Sequence, residues 1–146
     1  MDLLDNKKIN ILCFGDSNTW GCVGRWQESE LPPYRYDAEH RWSDVMAKEL
    51  GEAYHVVTDA LCGRTTIYTH RDEGPTYSAE PYILPCMRSH SPLDLMIIML
   101  GSNDAVDAAW DTEAYEDALI ALIDELAQAY SDGTQFVLMA PPCVFS

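Results

Sequence analysis

The stretch INILCFGDSN, residues 9–18, decides the fold that this sequence predicts. Its first part, Ile9–Phe14, is a short and mostly apolar run, which Gly15, Asp16 and Ser17 then close. A strand that is apolar on both faces is typical of a parallel sheet covered by helices on both sides. We therefore expect this run to be a central strand of an α/β fold, with a helix or loop beginning directly after it.

Further along the chain, apolar runs alternate with segments in which apolar residues recur at helical spacing, as is typical of α/β proteins. Three more strands are predicted, at Tyr54–Leu61, Leu93–Leu100 and Gln135–Ala140. Two helices are predicted, at 41–50 and 113–130. No repeat or linker divides the chain, and its length suits one domain. We expect residues 1–146 to form a single domain around a parallel sheet.

The charge of the chain excludes several classes of partner. The 146 residues include 24 Asp or Glu and only 9 Lys or Arg, which gives a formal net charge of −15. Binding to nucleic acids depends largely on Lys and Arg that neutralise phosphates. We therefore expect no nucleic-acid partner and no binding to anionic lipid.

Localisation and metal binding can also be judged from the sequence. The N-terminus lacks the apolar core of a secretory signal, and the longest aliphatic run, Leu95–Leu100, is too short to span a membrane. The five Cys residues are odd in number and include no CxxC pair. They predict neither a disulfide framework nor a zinc site. The expected protein is cytoplasmic, with no membrane segment, no metal site and no cofactor.

Three polar segments directly follow three of the predicted strands. They are Gly15–Asn18, Cys62–Thr66 and Gly101–Asp104. Ligands of open parallel sheets bind at the carboxyl ends of the strands, where these segments should meet. A serine there can act as a nucleophile, and backbone or amide N–H groups can stabilise an oxyanion. Ser17, the Gly63 N–H and the Asn103 side chain are the candidates for these roles.

The same segments resemble the sequence blocks of a known family. FGDSNTWG, GRTT and MLGSND are similar to the first three blocks of the SGNH (GDSL-motif) hydrolases. The similarity to their arylesterase and acyltransferase branch runs from about Ile9 to Pro142 and includes Arg41-Trp42 and Pro92–Leu95. It implies a flavodoxin-like three-layer α/β/α sandwich. It also implies acyl transfer from an ester, through an acyl-enzyme on Ser17, to water or in some members to an alcohol or peroxide.

The resemblance assigns three catalytic residues in this chain and leaves two members of the family's triad unassigned. Ser17 would be the nucleophile, and its own N–H, the Gly63 N–H and the Asn103 side chain would form the oxyanion hole. The family's base and orienting carboxylate come from an Asp-x-x-His block beyond a fifth strand, and no such block follows the fourth predicted strand here. We expect a truncation at the C-terminus, which would remove a strand and a helix.

The histidines of this sequence offer only weak substitutes for that base. One Asp-x-x-His does occur, at Asp37–His40, where we expect it mainly to open the helix at 41–50, with replacement of the missing pair as the minor alternative. His70 and His90 could reach the rim of the site but lie in no motif. His55 begins a strand and is expected to be structural.

Two functions therefore stay open. The first is a serine esterase or acyltransferase acting on small carboxylic esters, with its triad incomplete in this chain. The second is a non-catalytic relic or binding module that retains the oxyanion-hole pocket. In either case a small ester or acyl compound is the expected ligand.

Five residues near these segments have competing interpretations. Trp20 could wall the acyl pocket or belong to the core. Arg64 could be structural or could steer an anionic acyl group. Asp16 and Asp104 are expected to brace their loops by hydrogen bonds, and Cys62 is not expected to be a nucleophile.

The segment 68–91 shows no clear periodicity and contains several Pro, Gly and aromatic residues, so it is predicted to be a long loop. Such a segment suits an interface, and the related arylesterases are oligomeric, so we expect a homo-oligomer in which the helix at 113–130 faces outward. A lid over the active site is nearly as well supported.

The apolar fourth strand, Phe136–Met139, should be left unpaired at the edge of the sheet and adds to the expected self-association.

Overall fold

The structure is a computed structural model, and it describes residues 7–23, 35–67, 74–105, 111–129 and 133–142. The expectations for Tyr68 and His70 fall outside these residues.

The centre of the fold is a parallel sheet of four strands in the order β2-β1-β3-β4. The strands are β1 (Ile9–Gly15), β2 (Tyr54–Ala60), β3 (Leu95–Met99) and β4 (Gln135–Leu138). All four predicted strands are confirmed, and each ends within two residues of its expected limit. The order is that of the first four strands of a flavodoxin-like sheet.

The register of the sheet brings three strand ends to the same level. Gly15 at the end of β1 pairs with Ala60 on one side and with Met99 on the other. Because parallel strands end at a common edge, the loops that follow these three residues begin side by side. This edge carries the polar segments on which the candidate site depends.

Helices cover both faces of the sheet, so the expected three-layer sandwich is confirmed. The helices are α1 (Ser17–Trp20), α2 (Trp42–Leu50), α3 (Glu80–His90) and α4 (Thr112–Ala129). On one face, α2 packs through Trp42 and Met46 against Ile11 and Cys13 of β1. On the other face, α3 and α4 pack against Leu12, Phe14, Met96 and Ile98.

The prediction of a loop over 68–91 is wrong for its second half, because Glu80–His90 forms α3. Pro81 lies in the first turn of the helix, where a backbone N–H has no acceptor within the helix anyway. Pro85 lies inside the helix and removes one hydrogen bond. Burial of Ile83 and Met87 in the core offsets that loss, since each is at most 1% exposed. These two residues therefore belong to the core of the chain and are not available to an interface. Self-association through this segment stays a prediction, with fewer apolar residues to support it.

The predicted apolar edge at β4 is confirmed within the described residues. Strand β4 pairs there with β3 alone, and Val137 and Leu138 are 44% and 49% exposed.

In α4, Leu122 and Leu126 are buried against the sheet, while Ile120 faces solvent. Among the helices that the structure describes, none has the length and apolar character needed to cross a membrane.

Candidate active site

Ser17 is the first residue of α1, directly beyond the end of β1. Asp16 caps this helix, because one of its carboxylate oxygens accepts hydrogen bonds from the Asn18 backbone N–H at 2.9 Å and from the Asn18 side-chain amide at 3.1 Å. Asp16 is fully buried, and burial raises its pKa above the ordinary range against the opposing effect of these bonds. The carboxylate holds the Ser17 turn in place, as the sequence predicted.

Gly15 allows this turn because α1 folds tightly back over the end of β1. A Cβ atom at Gly15 would collide with the Thr19 side chain, and it would lie 2.7 Å from the Thr19 Cβ and 2.8 Å from the Met99 carbonyl oxygen. Contacts this short do not occur between real side chains, so only glycine fits here without movement.

We expect Gly15→Ala to destabilise the protein by about 1–3 kcal/mol, the usual cost of overpacking. The clash pushes Thr19, and with it Ser17, away from the sheet edge. Chemical denaturation measures the loss. Gly51→Ala is the control for lost glycine flexibility, since nothing lies within 4 Å of a Cβ there, although its φ of 78° adds strain of its own. A Gly15→Ala protein as stable as the wild type would contradict the close approach.

Gly63 lies in a tight turn that follows β2. The Arg64 N–H donates to the Leu61 carbonyl at 3.0 Å, and Gly63 has a φ of 85°, a left-handed conformation that favours glycine. The Leu61 N–H donates in turn to the Gly15 carbonyl at 3.2 Å. The Gly63 turn is therefore fastened to the end of β1, next to Ser17.

Asn103 follows β3 and points toward the same place. Its side-chain amide donates to the Arg64 carbonyl at 2.9 Å. An Asn amide has two hydrogens to donate, so this bond orients the group and leaves the second hydrogen for a ligand. The loop of Asn103 is also tied to the loop of Ser17, because the Asn18 amide donates to the Ser102 hydroxyl at 3.0 Å.

Hydrogen bonds thus join the three loops in pairs, and the structure brings the segments of Ser17, Gly63 and Asn103 to one edge of the sheet. Hydrogen bonds of Asp104, the residue after Asn103, also join the loop that follows β3 to the loop that follows β2. Buried Asp104 accepts from the Thr66 N–H at 2.9 Å and from the Thr66 hydroxyl at 2.7 Å. The expected bracing role of Asp104 is confirmed, and it connects the β3 loop to the β2 loop.

Arg64 has a structural place in this framework. It is 5% exposed, and its guanidinium donates to the Gly15 and Asp59 carbonyls and to the Asp59 carboxylate. The group also lies 4.2 Å from the centre of the Phe14 ring. Because the group is buried and three of its five N–H donors bind protein oxygens, the structure favours the structural interpretation of Arg64 over steering of an anionic acyl group.

Two other residues near the site show no sign of a chemical role. Burial, followed by the neighbouring Cys22 thiol, raises the pKa of Cys62 to about 12, so Cys62 stays a neutral thiol and a poor nucleophile at neutral pH. Trp20 is half-buried, and the Arg35 guanidinium stacks on its ring at 4.9 Å. Its partial burial argues against the core interpretation, and a place in the wall of the acyl pocket stays a prediction.

The pair Asp37 and His40 forms a local turn at the surface. The His40 Nδ1 lies 2.6 Å from an Asp37 carboxylate oxygen, and both side chains are about two-thirds exposed, at 65% and 67%. Asp37 raises the pKa of His40, and the same contact lowers the pKa of Asp37. Asp37 caps the turn that precedes α2, whereas α2 itself begins at a cap residue, Arg41, without a side-chain bond.

The other described histidines lie elsewhere. His55 is exposed on β2, and His90 ends α3 beside Asp59, so the expectation that His90 lies in a loop is wrong. That His90 could reach the rim of the site stays a prediction. Within the described ranges, no histidine or carboxylate hydrogen-bonds to the Ser17 hydroxyl.

Comparison with known proteins identifies the family of this chain. Residues 13–146 match the profile of the GDSL-like lipase/acylhydrolase family, a span that includes all three loops. The chain belongs to this family. No curated protein matches the sequence significantly.

Solved structures agree with membership of the GDSL-like family. The inhibitor-bound aryl esterase of M. smegmatis superimposes with a TM-score of 0.78 at 32% identity, over 92% of this chain and 64% of that one. A carbohydrate acetylesterase from Sinorhizobium meliloti gives a TM-score of 0.73 at 33% identity, over 91% and 63%. The chain therefore spans a little under two thirds of the length of these proteins. A family two carbohydrate esterase from Clostridium thermocellum, at 19% identity and a TM-score of 0.69, shares the fold.

Proposed function

We propose that this protein is a carboxylic ester hydrolase in which Ser17 is the nucleophile and the Ser17 N–H, the Gly63 N–H and the Asn103 amide form the oxyanion hole. The observation that carries the proposal is the joining of the three loops at one sheet edge by direct hydrogen bonds. The catalytic part is proposed to lie in a single domain that includes residues 1–146.

The proposed reaction begins when the Ser17 hydroxyl attacks the carbonyl carbon of an ester and gives up its proton to a base. The carbonyl oxygen becomes an oxyanion, which the three N–H donors stabilise. Collapse of this intermediate breaks the bond to the alkoxide, which takes the proton from the base and leaves as the alcohol, and the acyl group stays on Ser17. Water, or an alcohol in acyl transfer, then releases the acyl group by the same steps in reverse order.

The base is the part of the mechanism that the described residues leave open. In the SGNH pattern it is the histidine of a C-terminal Asp-x-x-His block, and the one such sequence in this chain, Asp37–His40, forms a surface turn of its own. We propose that the family's C-terminal block supplies the base, as in the general pattern. Without a base, the Ser17 hydroxyl is a weak nucleophile at neutral pH.

Small esters are the proposed substrates. The similar solved structures are an aryl esterase and a carbohydrate acetylesterase, which favours a short acyl group on either a phenol or a sugar hydroxyl. The alternative proposal is a binding module that holds small acyl compounds at the same edge without turnover. The arrangement of donors suits both, and only the presence of a functional base distinguishes them.

A chimera tests the proposal directly. Residues 1–142 of this chain, followed by a segment that carries the family's fifth strand and Asp-x-x-His block, should hydrolyse phenyl acetate. The 146-residue chain alone should be slower by on the order of 10⁴–10⁶-fold, because loss of one triad member costs that much in a model protease. A folded chimera without activity would favour the binding module. Full turnover by the 146-residue chain would identify His40 as the base, which His40→Ala would then test.

In the active chimera, Asn103→Ala should lower kcat by on the order of 10²–10³-fold, as removal of one side-chain donor from an oxyanion hole does elsewhere. KM should change little, since the donor acts on charge that develops in the transition state. Steady-state kinetics with phenyl acetate measure both constants. Asn10→Ala, far from this edge at the start of β1, is the matched control, and an equal loss in both variants would argue against a catalytic role for Asn103.

A further inference from the structure

A cluster of three metal-ligand types lies where α3 contacts the edge strand β2, next to Arg64. Asp59 is near the end of β2, and Cys86 and His90 lie one turn apart on α3. The ligand atoms of the three side chains all lie within 4.8 Å of one another. The His90 Nε2 is 3.8 Å from an Asp59 carboxylate oxygen.

These distances are close to those of a tetrahedral zinc site. With Zn–N and Zn–O bonds of about 2.1 Å and a Zn–S bond of about 2.3 Å, tetrahedral angles separate neighbouring ligand atoms by roughly 3.4–3.6 Å. Contraction of the 4.8 Å cluster by at most about 1.2–1.4 Å would reach that geometry. Because Cys86 and His90 lie on the same helix and Asp59 on a strand in contact with it, side-chain rotation alone could produce this contraction.

The chemistry of the cluster also suits zinc more than the alkaline-earth ions. A thiolate, an imidazole and one carboxylate are a mixed soft and borderline ligand set, whereas Mg²⁺ and Ca²⁺ require oxygen ligands. Cys86 is buried and forms no disulfide. Its sulfur lies within 4.8 Å of the Asp59 carboxylate oxygen that would share the metal.

Both carboxylate oxygens of Asp59 accept a hydrogen bond, but one lone pair of Oδ2 is left for a metal. The Arg64 guanidinium donates to Oδ1 at 3.1 Å, and the Tyr82 hydroxyl donates to Oδ2 at 2.9 Å. A carboxylate oxygen has two lone pairs, so Oδ2 can bind a metal while it still accepts from Tyr82. Zinc with one carboxylate and one thiolate is neutral, which limits its repulsion from Arg64.

We propose that Asp59, Cys86 and His90 bind one Zn²⁺ ion, with a water molecule as the fourth ligand. On binding, the Cys86 thiol loses its proton to solvent, and the sulfur, the His90 Nε2 and Asp59 Oδ2 each donate an electron pair to the metal. The ion joins α3 to the sheet beneath Arg64, whose backbone accepts the Asn103 amide. This proposal does not depend on the proposed esterase activity.

Cobalt and zinc titrations of the metal-free 146-residue chain test the proposal. We expect one Zn²⁺ per chain, measured by competition with a chromophoric chelator. Co²⁺ should give a thiolate-to-cobalt charge-transfer band in the near ultraviolet. Cys86→Ser and His90→Gln should each weaken Zn²⁺ binding at least about 100-fold, beyond the effect of losing an outer contact, and Cys86→Ser should abolish the band. A merely structural hydrogen-bond cluster would show no such band.

Matched controls keep the test independent of folding. Cys22→Ser and His55→Gln remove the same residue types elsewhere and should bind Zn²⁺ as the wild type does. If Cys86→Ser does not fold, His90→Gln decides together with the wild-type titrations, since it should lose Zn²⁺ affinity while every cysteine is kept. No stoichiometric binding at micromolar zinc, no thiolate band, or wild-type Zn²⁺ affinity in His90→Gln would each overturn the proposal.

Discussion

Ser17→Ala in the chimera is expected to lower kcat for phenyl acetate by on the order of 10⁴–10⁶-fold, to the residual rate that the oxyanion donors and substrate binding support on their own. The reason is that the variant has no atom that can form the acyl-enzyme, while the donors of the oxyanion hole stay in place. Steady-state kinetics give the loss. Mass spectrometry should find a trapped acyl group on Ser17 in the wild-type chimera and none in the variant.

The control for this change is Ser89→Ala. The Ser89 hydroxyl donates only to the Cys86 carbonyl within α3, far from the three loops. Its loss should leave kcat within about twofold of the wild type, since surface substitutions have small effects. Activity that survives Ser17→Ala would mean that another nucleophile performs the reaction, and the assignment of Ser17 would then fail.

Much of this architecture could be predicted because apolar runs and polar strand ends are local signals. Ile9–Phe14 needs no distant partner to be recognised as a buried strand, and its order in the sheet follows from the general rules for parallel strands. The candidate residues Ser17, Gly63 and Asn103 each directly follow such a strand. Their proximity is then a consequence of the common register of β1, β2 and β3.

Helix α3 was missed because two prolines obscure its pattern. Pro81 and Pro85 are usually taken as signs of a loop, yet one lies in the first turn and the other on the exposed face. The sequence does contain a helical signal, because Cys86 and Met87 follow Ile83 at positions i+3 and i+4. All three side chains are buried. Burial of these side chains outweighs a local preference against helix, a result of tertiary packing that a propensity argument does not include.

The networks of side-chain contacts could not be predicted from the sequence, because the residues that form them are far apart in the chain. The role of Arg64 depends on Asp59 and Gly15, and the proposed zinc ligands combine a strand residue with two residues of the missed helix. A Cys-x-x-x-His pair at helical spacing was a possible clue. Its third ligand becomes visible only when β2 and α3 are placed in contact.

Asp104→Ala is expected to lower the free energy of unfolding by about 2–6 kcal/mol. The carboxylate is fully buried and accepts from both the N–H and the hydroxyl of Thr66, which is also buried. Its removal leaves two buried donors without this acceptor, at roughly 1–3 kcal/mol each. Denaturation by urea, followed by circular dichroism, measures the change. Asp117→Ala, at an exposed position of α4, should stay within about 0.5 kcal/mol of the wild type.

A double-mutant cycle with Thr66→Val shows whether this loss acts through Thr66. If the carboxylate stabilises the protein mainly by its bond to the hydroxyl, the effects of Asp104→Ala and Thr66→Val will not add, and the coupling should exceed about 0.5 kcal/mol. Additive effects would contradict a stabilising bond between Asp104 and Thr66.

The same bonds hold the Asn103 loop against the Gly63 turn, since Asp104 follows Asn103 directly and Thr66 lies three residues after Gly63. In the chimera, Asp104→Ala should therefore lower kcat even at temperatures where the variant is fully folded, because the oxyanion donors lose their fixed spacing.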